Sequence, residues 1–268
     1  MRREDIMPLT KSKIEYLDYN WPIVTGCNNR REGLCGLPCW AAAQAKRFGK
    51  SFEPAVHPAN IDAPLVARGL GATIGAAFTG ELFTFAPETP MLQERASLRQ
   101  LMWAVMAATP LTRYLFLTKR PADLAKWEPF PRNAYVGVSV NTRAQFEIAT
   151  VALGDVKAGG KWLSWEPVLE PPYGPLVLES GLKMAGIGWV VIGAATGRQA
   201  DMTCLLGEYG YGHVEPYSKK WALSPPVEGV LSIIEAADKA GAKVWLKHNL
   251  AGTFGNGIKF RQQRPWNV

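Results

Sequence analysis

Seven short runs rich in β-branched and aromatic residues recur along this sequence, and stretches of helical character stand between most of them. The runs are WPIVT (21–25), AAFT (76–79), YLFLT (114–118), AYVGVSV (134–140), KWLSW (161–165), WVVIG (189–193) and KVWLK (243–247). Most are nearly continuous apolar segments, the pattern of strands covered on both faces, and alternation with helices predicts repeated βα units and a parallel sheet. Helices are expected over Cys39–Phe48, stopped by Gly49, and over Met91–Ala108, ending before Pro110. Two more are expected over Thr142–Leu153, capped by Asn141 or Thr142, and over Val227–Ala240, closed by Gly241. Shorter turns fit Ala122–Trp127 and Leu176–Ala185.

No composition break marks a linker, so residues 1–268 are expected to form a single domain. Residues 50–74, which include HPANIDAP, lack a clean period and predict an irregular insertion. No GxGxxG follows the first run, which favours a full or partial (β/α) TIM-type barrel of parallel strands over a doubly wound sheet. Barrel sites form at the C-terminal ends of strands, and polar residues recur there. They are Cys27; Thr79, Gly80 and Glu81; Thr118, Lys119 and Arg120; Ser139 and Asn141; Ser164 and Glu166; Thr196 to Arg198; and Lys247, His248 and Asn249.

Three of the four cysteines, Cys27, Cys35 and Cys39, fall in one loop between the first strand and the first helix. The spacing C-x7-C-x3-C matches neither a paired-cysteine zinc ribbon nor a ferredoxin run. In a chain with too few cysteines for a disulfide scaffold, clustered thiols point to metal, cluster or redox work, with packing as the plain alternative. The net charge of +7 suggests an anionic substrate or partner, although the basic residues are dispersed as short pairs such as Arg30-Arg31 and Lys46-Arg47. No apolar stretch has the length of a membrane span or a signal peptide, and a cytoplasmic location is expected.

The ordered blocks WPIVTGCNN, a three-cysteine loop ending at Cys39 before an Ala-rich helix, GELF, LFLTKRP, VGVSVNT, LSWEPVLEP, WVVIGAATG and VWLKHN resemble phage and bacterial three-cysteine proteins similar to radical S-adenosylmethionine enzymes. The resemblance runs from about residue 12 to about 250. It implies that Cys27, Cys35 and Cys39 ligate three irons of a 4Fe-4S cluster and leave the fourth iron to S-adenosylmethionine, whose reductive cleavage gives a 5′-deoxyadenosyl radical. A reductant such as flavodoxin or ferredoxin would then be a partner. Gly80 and Glu81 stand where the family has a Gly-Gly-Glu type motif, so Glu81 would meet the cofactor's ammonium group. Ser139, Asn141 and Glu166 could contact ribose or substrate. Lys119, Arg120, Lys247 and His248 could hold an anionic or nucleic-acid-related substrate. The sequence departs from the family pattern in its longer first cysteine spacing, in Trp40 following the last cysteine, and in Thr79 replacing one Gly. Trp40 would lie against an adenine ring or pack as a core residue.

Two other readings compete. One is a zinc- or cluster-binding interaction protein without catalysis, in which His57, Cys204 or His213 completes a four-ligand zinc site. The other is a nucleic-acid-binding module with a structural metal, motivated by the positive charge and ten tryptophans.

Overall fold

The computed structural model describes residues 9–66, 71–91, 95–255 and 260–266. They form a mixed α/β architecture that divides into two compact units. Unit 1 comprises the chain up to Gly137 with Val156–Gly160, and unit 2 comprises Val138–Asp155 with the chain from Lys161 on.

The main sheet contains β1 (Thr10–Lys11), β2 (Tyr19–Trp21), β3 (Thr73–Ala76), β4 (Arg113–Thr118) and β5 (Ala134–Val140), then β6 (Gly160–Trp165), β7 (Trp189–Ile192) and β8 (Lys243–Leu246). Its strand order follows the chain, and the division between units passes through β5. In unit 1, β1 is antiparallel to β2, whereas β2 runs parallel to β3 and β3 to β4, with Trp21 opposite Ala76 and Gly75 opposite Leu115. In unit 2, β6, β7 and β8 are parallel neighbours, with Trp165 opposite Ile192 and Ile192 opposite Leu246. Parallel strands in chain order are what repeated βα units produce. β1 and β8 end the order without pairing to each other among the described residues, so the closed form of the expected barrel is not seen.

Five expected strands stand within one or two residues of their predicted bounds. Two differ. The first run breaks after Trp21: Val24–Thr25 leaves the sheet and pairs antiparallel with Ala55–Val56. The second strand is Thr73–Ala76 rather than 76–79, because Ala77 takes φ 59° and turns the chain where its apolar composition predicted extension. Within 50–74 the insertion carries that short strand, a 3₁₀ turn at Pro58–Asn60 and a short helix at Ala63–Val66; residues 67–70 lie outside the described residues.

Helix α1 (Trp40–Arg47) follows the cysteine loop, with Cys39 as its N-cap. Helix α2 (Leu98–Ala108) starts later than expected, because Ser97 and Gln100 form a capping box that fixes its first turn. Residues 92–94 of the expected helix lie outside the described residues. Behind α2, Phe83, Trp103, Phe116, Trp127 and Phe130 meet as an aromatic cluster with centroids 5.5–6.4 Å apart. Phe83 and Trp127 bring into this cluster the 3₁₀ segments Leu82–Thr84 and Pro121–Trp127 that follow β3 and β4.

Unit 2 carries α3 (Arg143–Asp155), α4 (Pro175–Ala185), α5 (Gln199–Tyr209) and α6 (Val227–Lys239). α4 packs between α3 and α6. In α6, Val230, Ile233, Ala236 and Ala237 form one buried stripe. The periodicity did not reveal α5, which buries only Met202 and Leu205, or the small antiparallel sheet of Ala195–Gly197, Lys220–Ser224 and His213–Tyr217.

Candidate functional site

Within unit 1 the cysteine loop begins where two glycines let separate backbones touch. Gly26, at φ 76°, donates its N–H to the Thr79 carbonyl at 3.3 Å, and Glu81 N–H donates to the Gly26 carbonyl at 3.0 Å. A Cβ on Gly26 would stand 2.1 Å from the Glu53 carbonyl oxygen, and one on Gly80 would stand 2.8 Å from the Thr25 backbone. Only glycine fits either place. Cys27 is thereby held next to the loop that follows β3.

Glu81 organises this junction. Its side chain is 3% exposed and each carboxylate oxygen accepts two hydrogen bonds. Thr118 Oγ1 at 2.8 Å and Phe83 N–H at 3.3 Å donate to Oε1; Asn29 Nδ2 at 2.9 Å and Lys119 N–H at 3.2 Å donate to Oε2. Burial pushes the carboxyl above its ordinary range, with the four donors pulling against that shift. Four donors fill the lone-pair sites of a carboxylate.

The inserted stretch of the loop is tied down residue by residue. Asn29 offers Oδ1 to Arg120 at 3.5 Å while donating to Glu81. Arg120 also pairs with Glu32, and its Nε donates to Asp123 at 2.8 Å. Burial opposes the guanidinium's charge, but Glu32 and Asp123 outweigh it and raise its pKa. Asn28 accepts from Thr84 Oγ1 at 2.7 Å and donates to Glu32, and Arg31 forks onto Glu53 at 2.7 and 3.0 Å. Before the loop, Thr25 Oγ1 lies 2.7 Å from His57 Nε2, and burial, helped by the Lys50 charge, lowers the His57 pKa.

The three thiols are free and half-buried. Cys27 Sγ accepts from Asn29 N–H at 3.4 Å, and Cys39 Sγ accepts from Ala42 N–H at 3.5 Å as the α1 cap. Burial pushes the Cys27 thiol up to about 11, and the charges of Glu81, Cys39 and Cys35 add to that. Among the described residues no group of three or more His, Cys, Asp or Glu side chains is gathered as an ion site. Thiolates are nevertheless the donors that iron–sulfur clusters use, and Thr79 Oγ1, one residue before Gly80, is buried without a hydrogen-bond partner among the described residues. The residue types are those a thiolate-held group takes, and the Thr79 hydroxyl is a polar group left unsatisfied among the described residues, one residue before Gly80.

Of the expected substrate residues in unit 1, Arg120 is committed to Glu32, Asp123 and Asn29, and Lys119 contributes its backbone N–H to Glu81. In unit 2, Glu166 and Lys247 meet as an ion pair at 2.8 Å, about four-fifths buried. They rise from the ends of β6 and β8 on either side of β7, which Gly193 follows; a Cβ there would be 3.0 Å from Glu166 Cγ. Glu166 Oε1 is buried without a partner among the described residues. Asn249 clasps the Ala194 backbone with bonds of 3.1 and 2.7 Å, and Asn141 donates to the Pro167 carbonyl at 3.0 Å. Both asparagines brace strand ends. Ser139 is half-buried, and His248 is exposed with its ring 5.4 Å from Phe260. Cys204 is exposed on α5, and His213 lies 3.6 Å from Glu215.

Sequence reasoning missed Asn28, Asn29, Thr25 and His57 as structural partners of the loop. The available signal was the polar run NNRRE directly after Cys27. No described helix is long and apolar enough to cross a membrane. A family model described as a protein of unknown function, DUF5131, matches residues 11–204. No curated protein and no solved structure matches the chain.

Proposed function

The chain belongs to the DUF5131 family, and we propose that it is an iron–sulfur protein that uses S-adenosylmethionine for radical chemistry within a partial (β/α) barrel. The observation that carries this reading is the anchoring of the three-cysteine loop on the β3 and β4 ends through Asn29, Glu81 and Thr118. A loop of three thiols on a rigid base leaves one position of a cluster without a protein ligand, which is what a cofactor needs.

Cys27, Cys35 and Cys39 would hold the cluster. A reduced cluster with an open iron supplies the electron for cleaving a bound sulfonium cofactor. The protein's own contribution is positional. Glu81 fixes the loop through Asn29, the Gly26 and Gly80 backbones bring the loops together, and the Thr79 hydroxyl is available to a polar group of the cofactor. In unit 2 the Glu166–Lys247 pair, with one spare carboxylate oxygen, offers both charges to a polar ligand. A reductant such as flavodoxin or ferredoxin is the partner this chemistry requires.

The test is anaerobic incubation of reconstituted protein with dithionite and S-adenosylmethionine, following 5′-deoxyadenosine by chromatography. The reading expects product that is absent in Cys35→Ala. Intact cofactor after incubation of a fully loaded sample would reject it.

A further inference from the structure

Helix α1 differs from the helices that pack on the sheet because none of its residues is buried. Trp40, Ala43, Gln44 and Arg47 stand at the i, i+3, i+4 and i+7 positions of one face, and all four are exposed. Trp40 is 54% exposed at the head of that stripe, and Phe48 is 62% exposed at its foot, with the Arg47 guanidinium 5.9 Å from the Phe48 ring centroid. An amphipathic helix packed on a core turns its aromatic residues inward. Here they face water.

The charges along this stretch of the sequence are mostly positive. From Cys27 to Lys50 the cations are Arg30, Arg31, Lys46, Arg47 and Lys50, and the one acid, Glu32, is held by Arg120. Arg31 is paired with Glu53, whereas Arg30, Lys46, Arg47 and Lys50 are exposed and form no ion pair among the described residues. Two exposed aromatic rings about 12 Å apart along a helix, with four cations that form no ion pair among the described residues in the same stretch of sequence, fit a chain whose flat bases stack and whose phosphates are regularly spaced. A duplex keeps its base faces hidden, and the carboxylates of an acidic peptide would meet the cations without supplying the regularly spaced aromatic faces that bases offer the rings.

We infer that α1 and Arg30 form a binding face for single-stranded nucleic acid. This names the substrate class of the proposed enzyme and rests on that reading only for turnover, since binding through this face needs no cluster.

The experiment is fluorescence anisotropy of a labelled single-stranded oligonucleotide of about twenty nucleotides, titrated with the full chain across a range of salt. Four phosphate contacts predict a log–log salt slope of about −3, and the Lys46→Gln/Arg47→Gln/Lys50→Gln variant should bring it closer to zero by about 2. Trp40→Ala should weaken binding about ten-fold with the slope unchanged, because stacking does not release counterions. Circular dichroism melts confirm that both variants are folded. No binding, or equal affinity and slope in both folded variants, overturns the inference. So does displacement by polyglutamate as effective as that by unlabelled oligonucleotide, or Trp40-dependent self-association in ultracentrifugation. The same titration on Cys35→Ala separates the two proposals: binding retained without a cluster supports this face, whereas cofactor cleavage in a protein that does not bind the oligonucleotide leaves the catalytic reading and removes this one.

Discussion

Asn29 donates its side-chain amide to Glu81 Oε2 at 2.9 Å across 52 residues of sequence, and both side chains are buried. The bond joins the three-cysteine loop to the end of the strand beside it, and through Thr118 to the strand after that. Removing the amide leaves a buried carboxylate oxygen short of a donor and Arg120 short of an acceptor. Asn29→Ala should therefore lower stability by about 1–3 kcal/mol in urea denaturation. Asn29→Asp should cost more, because a second carboxylate would face Glu81. Equal stability of all three proteins would remove Asn29 as the anchor.

Two glycines of the same loop should respond very differently to alanine. Gly26 has φ 76° and a Cβ there would press on the Glu53 carbonyl, whereas Gly33 has φ 73° and open space around it. Gly33→Ala should lose about 1 kcal/mol, the conformational term alone. Gly26→Ala adds a collision between backbones and should lose about 3 kcal/mol or more. Matched thermal melts of the pair measure the difference directly.

His57 supplies a pH dependence. Its pKa is lowered from 6.5 by burial and then by Lys50, so the folded protein takes up its proton less readily than the unfolded chain. This contribution is full above the ordinary histidine value. It falls as pH drops below that value and stops falling once pH is below the lowered one. Melting temperature should decline from about pH 7.5 to about pH 5 in the wild type. His57→Gln, which keeps a polar group near Thr25, should show a smaller decline, and an unchanged decline would discard this account.

In unit 2, Lys247→Met should destabilise by about 1–3 kcal/mol by leaving Glu166 without its partner in a site four-fifths buried. Gly193→Ala acts on the same pair from below, since the new methyl would stand 3.0 Å from Glu166 Cγ. The two effects should be less than additive in a double-mutant cycle, because either change already disturbs the ion pair. Full additivity would mean that Gly193 does not shape the pair.

The repeating sheet was legible because β4 to β8 are continuous apolar runs buried on both faces, which no other element mimics at that length. The offset of β3 was not, since Ala76, Ala77 and Phe78 are apolar whether extended or turning. The small sheet of unit 2 escaped notice because His213–Tyr217 and Lys220 are exposed or half-buried and give no period. The cysteines and Glu81 were visible as residue types. Their coupling was hidden, because it passes through Asn29, whose partners are 52 and 91 residues away. Trp40 illustrates the reverse: apolar composition at the start of a helix suggested a core residue or a cofactor contact, and the structure places it in solvent.

The most direct test of the central claim is iron and acid-labile sulfide analysis, with an absorption spectrum, on protein purified and reconstituted without oxygen, alongside Cys35→Ala. About four irons and four sulfides per chain, with the visible absorbance lost in the variant, is the predicted result. Stoichiometric zinc without sulfide would contradict it and make the three-cysteine loop a structural metal site.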